Sequence, residues 1–253
     1  MIVGDLAVRV TDNDVAAVAV SAPASLAIAE GGQHASYEVA LATQPRGEVT
    51  VYAAGDGQSR ADPAALTFDA TNWNSPQVVT VTAIDDAVDE DDGQATVINH
   101  AVAGADERYR GQRVAAIELT VADNDTSGVD VTPVFLGVPD GGVGVYSLVL
   151  ATQPQTSVVV DILPDTRLAV DVVCAANDEG TACRVFTPEN WNMPQQVAVL
   201  RPAALLQAFI DHEIPSGEAR YLAVDVATVT VLPEGDDGLP QEVGSIYLPL
   251  VAR

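Results

Sequence analysis

Tyr37-Glu-Val-Ala-Leu41-Ala-Thr-Gln-Pro45 returns as Tyr146-Ser-Leu-Val-Leu150-Ala-Thr-Gln-Pro154, and Asn72-Trp73-Asn74-Ser-Pro76-Gln77 returns as Asn190-Trp191-Asn192-Met-Pro194-Gln195. The order is the same in both copies, so the chain is an internal duplication, and this decides the architecture before any local reading. The first pair lies 109 residues apart and the second 118, so the second copy carries 9 extra residues between the two landmarks. A third correspondence closes each copy: Val10-Thr-Asp-Asn-Asp14 matches Val121-Ala-Asp-Asn-Asp125. The boundaries that follow are 15–125 for the first repeat, 126–232 for the second, and 233–253 for a C-terminal tail. Residues 1–14 read as the last strand of a preceding repeat, Leu6 to Val10, whose body is absent. The chain is then a fragment of a longer repeat protein, or its start has been assigned too late.

Within each copy, short runs of β-branched and apolar residues alternate with polar ones and are punctuated by Gly, Pro, Asn and Asp, which is the period of strands. In the first repeat the strands fall at about 15–29 (A), 35–42 (B), 48–54 (C), 64–69 (D), 77–84 (E), 94–102 (F) and 113–122 (G). Seven strands in ~110 residues indicate an immunoglobulin-like fold. The fold class expected is all-β, with tandem immunoglobulin-like antiparallel β-sandwiches. Composition agrees: 48% of residues are apolar, mostly Ala and Val, and only 5% are aromatic.

Consecutive antiparallel strands reverse direction, so their connections fall alternately at two ends. The A/B, C/D and E/F connections and the chain after G share one end, here called the tip, and B/C, D/E and F/G share the other, the base. The tip collects Glu30, Asp56, Asp62, Asp85, Asp86, Asp89, Glu90, Asp91, Asp92, Asp123 and Asp125 against Arg60, and the base collects Arg46, Arg108, Arg110 and Arg113. Two carboxylates ~4 Å apart repel by up to ~4 kcal/mol at an effective dielectric of 20, so such a cluster calls for a neutralising ion. Calcium is the candidate, being a hard cation that takes 6–8 oxygen ligands in flexible geometry. Zinc is disfavoured, because His34, His100 and His212 are widely spread and the two cysteines lack a matching second pair. The alternative is a freely hydrated acidic loop cluster.

The formal net charge of −25, with no Lys among the 11 basic residues, argues against a nucleic-acid partner. No run approaches the ~18–20 apolar residues of a membrane-spanning helix, and Met1–Asp5 lacks the basic and apolar regions of a secretory signal. Cys174 and Cys183 sit where the extra residues fall, either as a disulfide closing the longer hairpin or as two buried thiols. The Asn-Trp-Asn turns read as caps, each Trp packing under the D/E turn, rather than as sugar-binding aromatics. The tail turns apolar in Ile246-Tyr-Leu-Pro-Leu-Val251, either a sorting or anchoring signal or an extra edge strand. No Gly-x-Ser-x-Gly elbow occurs, and a phosphate-binding Gly-x-x-x-x-Gly-Lys needs a Lys the chain lacks. An enzyme is not expected.

The ordered combination of Ala29-Glu30-Gly-Gly, Val81-Thr-Ala-Ile84-Asp85-Asp86-Ala-Val-Asp-Glu90 and Val121-Ala-Asp123-Asn-Asp125 resembles the Calx-beta repeat. That family includes regulatory calcium-binding domains of sodium/calcium exchangers, the cytoplasmic tails of some integrins, and many large bacterial surface proteins. The resemblance covers nearly all of 15–125 and, more weakly, 126–232. It implies a calcium cage in which Glu30 is the strand-A acid, Asp85 and Asp86 the paired E/F-loop aspartates, Glu90 the glutamate after them, and Asp123 and Asp125 the closing acids. Asn124 replaces a third acid that some members have. Asp62 is the C/D-loop ligand, although Asp62-Pro63 stands where the family often has an aspartate followed by an aromatic. Repeat two departs: Leu200-Arg201-Pro-Ala-Ala-Leu-Leu206 replaces Ile84 to Glu90, Val138-Pro-Asp140-Gly replaces the glutamate strand end, and Val231-Leu-Pro-Glu234-Gly-Asp236-Asp237 the closing motif. It is expected to keep the fold and lose the cage.

The function this implies is a calcium-binding structural or adhesion repeat of a secreted or cell-surface bacterial protein, with calcium rigidifying the inter-repeat junction. Its partners would be calcium ions, neighbouring repeats of a longer chain, and cell-surface or matrix molecules. The alternative is a metal-independent spacer of stacked sandwiches.

Overall fold

The computed structural model describes residues 9, 11, 13–172, 174 and 181–235. Apart from Arg9, the proposed strand Leu6 to Val10 lies outside the described residues, as does the apolar end of the tail. The chain divides into two compact units at Asn124/Asp125, with Ala87–Asp89 counted in the second.

The first unit is a sandwich of nine strands: β1 (Val18–Ser21), β2 (Ala27–Ala29), β3 (Ala35–Leu41), β4 (Val49–Ala54), β5 (Ser59–Asp62), β6 (Ala65–Phe68), β7 (Gln77–Ala83), β8 (Gln94–Gly104) and β9 (Ile117–Ala122). One sheet runs β1-β3-β7-β5 and the other β2-β9-β8-β4-β6. The side-chain period of two does the sorting. Along β3, Ala35, Tyr37, Val39 and Leu41 are buried while the residues between them are not, and β4 buries Val49, Val51 and Ala53 in the same way. Those inward residues meet Phe68, Val79, Val81, Ile98, Leu119 and Val121 in one continuous core.

Two strand readings change. The single strand A of about 15–29 is two short strands in opposite sheets: β1 pairs antiparallel with β3, and β2 pairs parallel with β9. Pro23 lies between them and supplies the break, since it has no N–H for a ladder and a fixed φ. The stretch expected as a plain C/D loop contains β5, which adds to the edge of β7 with Asp62 opposite Thr80.

The second unit repeats the order with β10 (Val129–Thr132), β11 (Phe135–Val138), β12 (Val143–Leu150), β13 (Val158–Pro164), β14 (Ala169–Val170), β15 (Ala182–Phe186), β16 (Gln195–Leu200), β17 (Ala208–Ser216), the one-turn α1 (Ala219–Leu222) and β18 (Val229–Pro233). Its sheets, β10-β12-β16-β14 and β11-β18-β17-β13-β15, match those of the first strand for strand. Tyr37 faces Val79 across the β3/β7 ladder and Tyr146 faces Val197 across β12/β16, so the two unequal landmark spacings join in one register. The extra residues lie between β13 and β15, where Cys174 and Cys183 form a disulfide. Trp73 and Trp191 pack half-buried against their cores, and the carbonyl of each accepts a backbone hydrogen bond, from Leu41 and Leu150 respectively. Among the described residues no helix is long and apolar enough to cross a membrane.

Candidate metal centre

The parallel pairing of β2 with β9 builds the centre. Its register sets Ala29 beside Ala122, and the Glu30 N–H donates to the Ala122 carbonyl at 3.0 Å. The next residue on each strand is an acid, Glu30 on one and Asp123 on the other, so the ladder delivers two carboxylates to one spot at the tip. Carboxylate oxygens of Glu30, Asp123 and Asp125 all lie within 4.8 Å of one another. Glu30 is only 4% exposed, and Asp123 and Asp125 are half-buried. Such burial is rare for a carboxylate and costly unless its charge is balanced.

The chain leaves Glu30 through Gly31, whose φ of +59° lies in the left-handed region that favours glycine. A Cβ at Gly31 would sit 3.2 Å from Asn124 Nδ2 and 3.7 Å from Asp85 Oδ2. The turn is therefore glycine both for its torsion and for the side chains pressed against it. Asn124 Nδ2 donates to Asp85 Oδ1 at 3.0 Å, the Glu90 N–H donates to Asp123 Oδ2 at 2.7 Å, and Gln58 Nε2 donates to Glu90 Oε1 at 2.7 Å. Glu30, Asp123 and Asp125 form the cluster, and Asp85 and Glu90 are tied to its edge through Asn124 and Asp123.

Asp86 is exposed on the same loop and is not among the three clustered acids. Asp62 is not at the cluster either. It lies exposed on β5, opposite Thr80, whereas the tip end of that ladder is Ser59 opposite Ala83. The family resemblance implies a C/D-loop ligand at this position, and the β5 ladder instead holds Asp62 down the sheet edge.

Asp56, counted among the tip acids, has a different task. It accepts hydrogen bonds from Thr96 Oγ1 at 2.6 Å, the Gln58 N–H at 3.0 Å, the Val97 N–H at 3.2 Å and Ser59 Oγ at 3.4 Å. Desolvation pushes its pKa up, but these donors outweigh it and hold the group below the ordinary carboxylate value. Asp89 belongs to the second unit, where it accepts from the Ser127 N–H at 2.7 Å and pairs with Arg220 at 2.8 Å.

The expected separation of acids from arginines is incomplete. Asp69, Asp106 and Glu107 lie in the base connections. Asp106 is 5% exposed and accepts from the N–H groups of Arg46 and Arg108 as well as from the Arg108 guanidinium. The Arg108 hydrogen bond leads the effects that hold its carboxyl far below the usual range.

Sequence reasoning missed two duplicated polar pairs. Tyr37 Oη lies 2.8 Å from His100 Nε2, and Tyr146 Oη lies 3.0 Å from His212 Nε2; each His Nδ1 faces a backbone carbonyl, of Ala115 and Ala227. Likewise the Tyr109 hydroxyl meets the N–H, Oγ1 and carbonyl of Thr43, and Tyr221 meets the same three groups of Thr152. The histidines looked scattered because a repeat of a single His and a single Tyr carries little local signal.

At the matching end of the second unit, Arg201 is 2% exposed. Its guanidinium donates to Asp140 Oδ1 at 2.6 Å, to the Val138 carbonyl at 3.1 Å and, through Nε, to the Leu205 carbonyl at 2.7 Å.

The clustered donors Glu30, Asp123 and Asp125 are all carboxylate oxygens, the hard donors that calcium takes. A second grouping, Asp161 with Cys174 and Cys183, offers no thiolate, because the two sulfurs are bonded to each other. The three clustered carboxylates fit a hard divalent cation.

No family model matches the chain, and no curated protein matches it. Among solved structures, CBD12 from CALX1.2 aligns over 83% of this chain and 97% of its own at 12% identity, with a TM-score of 0.35. The calcium binding domain CBD12 of CALX1.1 aligns over 82% and 96% at 14% identity, also at 0.35. The YadV chaperone aligns over 80% and 96% at 12% identity and 0.32. Likeness at this level carries no argument about residues or ligands.

Proposed function

We propose that the chain is a calcium-binding structural repeat of the Calx-beta kind, its ion held at the tip of the first unit. The observation that carries the reading is Glu30, a carboxylate buried to 4% exposure and set by the β2/β9 register within 4.8 Å of two further carboxylates. Glu30, Asp123 and Asp125 would hold the ion, with Asp85 and Glu90 at its edge. The ion supplies positive charge to a site where three carboxylates otherwise repel. Asp123 and Asp125 also lie on the connector from β9 to β10, so an ion bound to them restrains that connector. In this reading the chain presents or links other domains in a secreted or surface-displayed array, without chemistry on a substrate.

Isothermal titration of calcium into chelator-treated full chain tests the reading, with magnesium as the control. Saturable binding with a Kd of ~0.1–1 mM, the range of extracellular calcium modules, is expected. Loss of that binding in Glu30→Gln is expected too. A flat calcium titration would leave the spacer reading, which the internally neutralised end of the second unit already favours for that unit. Small-angle scattering with calcium and with chelator tests the connector; identical distance distributions would make calcium a local stabiliser only.

A further inference from the structure

The inward position at the end of the β7 ladder differs in kind between the repeats. Tyr37 opposite Val79 and Tyr146 opposite Val197 align the two ladders, so Arg201 stands at the place of Ala83, not of Asp85 as the bare sequence alignment had it. Alternation then turns Arg201 inward with Val197 and Val199, all three buried. A methyl group in the first unit becomes a guanidinium in the second. The acid just past β2 and β11 also changes character: Glu30 is 4% exposed, whereas the side chain of Asp140 is 66% exposed and approaches the guanidinium from the rim.

What surrounds Arg201 is a set of oxygens: one carboxylate, from Asp140, and two backbone carbonyls, from Val138 and Leu205. Carboxylates mixed with backbone carbonyls are the donors a hard cation takes. The loop Pro202–Leu205 is shaped to complete the set, since Ala204 adopts a φ of 63°, a left-handed conformation that a residue with a Cβ holds only under constraint. The Arg201 N–H is itself fixed, donating to the Gly142 carbonyl at 3.1 Å.

We propose that Arg201 is a tethered cation. Its guanidinium occupies the oxygen set of the second unit permanently, closing that end of the sandwich without a metal and restricting divalent-cation uptake to the first unit. The second clause rests on the calcium reading above; the first does not.

Hydrogen–deuterium exchange on the full chain, read at peptides covering 138–142 and 200–206 and at peptides covering 28–33 and 120–126, tests both. In the wild type, millimolar calcium should slow exchange in 28–33 and 120–126 and leave 138–142 and 200–206 unchanged. Arg201→Gln should speed exchange of the Gly142 and Leu205 amides at least tenfold with the first unit unaffected. Asp140→Asn, at a rim position that leaves the core untouched, should speed the same amides by a smaller factor and keeps the test open if Arg201→Gln does not fold. Unchanged exchange in both variants would overturn the proposal, as would calcium protection of the second unit equal to that of the first. Loosening by the variants with no calcium response in the first unit would retain the tethered cation and discard the calcium reading.

Discussion

Replacing Glu30 by Gln keeps the shape of the side chain and removes one of three clustered charges. Two unit charges at 4.8 Å interact by about 3.5 kcal/mol at an effective dielectric of 20. Glu30 takes part in two such pairs, so the substitution relieves about 7 kcal/mol of unscreened repulsion at that outer spacing, and solvent screening around the half-buried Asp123 and Asp125 reduces this to roughly 1–3 kcal/mol. In chelator, the variant is therefore expected to melt above the wild type. Calcium shifts the balance back toward the wild type. At a hundredfold excess over Kd an ion bound only to the native state contributes about 2.7 kcal/mol, which for a unit of ~110 residues is a rise of roughly 10 °C. The variant, having lost the buried ligand, should gain under ~1 kcal/mol. Differential scanning calorimetry of both proteins, each with chelator and with calcium at a hundredfold excess over the wild-type Kd, gives the four midpoints. An undiminished calcium gain in Glu30→Gln would show that the ion, if bound, does not use the buried carboxylate, and the argument from the β2/β9 register would fail.

Tyr221→Phe should cost about 1–3 kcal/mol in denaturant unfolding, since it removes the hydroxyl that meets three groups of Thr152, which is 2% exposed. Tyr109→Phe should cost less because Thr43 is only half-buried and water can replace the hydroxyl. Burial pushes His100 and His212 below the ordinary histidine value, so the unfolded chain takes up protons first. Their contribution is complete above pH ~6.5 and is lost as pH falls through the depressed folded values, so thermal midpoints should drop on acidification below that point. A double His100→Gln, His212→Gln variant that kept the full drop between pH 7 and pH 5 would refute this. Replacing Cys174 and Cys183 by Ser opens a bridge spanning 9 residues and should cost about 2.6 kcal/mol on the chain-entropy scale. Equal stability of the oxidised and reduced wild type would contradict it.

How much of this could be read from the residues depends on the range of each interaction. The duplication, the alternation along β3 and the acids Glu30, Asp123 and Asp125 were all visible, because strand periodicity and repeated motifs are local patterns. Alternation of antiparallel strands already puts Glu30 and Asp123 at one end, but not side by side. Their adjacency comes from a parallel pairing between the strands that open and close the repeat, which alternating antiparallel order does not disclose. Asp62 was misplaced because the ladder to Thr80 depends on which edge of β7 stands open. Arg201 was set against Asp85 because the alignment followed the motif and not the pairing, and two residues of shift carried an inward group into an apparent loop.

The β2/β9 pairing also bears on mechanics. β1 begins beside Leu41, at one end of the sandwich, and the chain leaves after Ala122 at the other. A pull on the two ends of the unit draws β2 and β9 in opposite directions along their common axis. Parallel neighbours loaded in this way resist in shear, so their hydrogen bonds must break together, whereas a hairpin pulled from its open end peels one bond at a time. Ala27 to Ala29 against Thr120 to Ala122 is a short clamp, and the carboxylate cluster lies at its outgoing end. An ion bridging Glu30 and Asp123 would act as a rivet across the sliding plane, so the force needed to rupture the first unit would rise with calcium while that of the second would not.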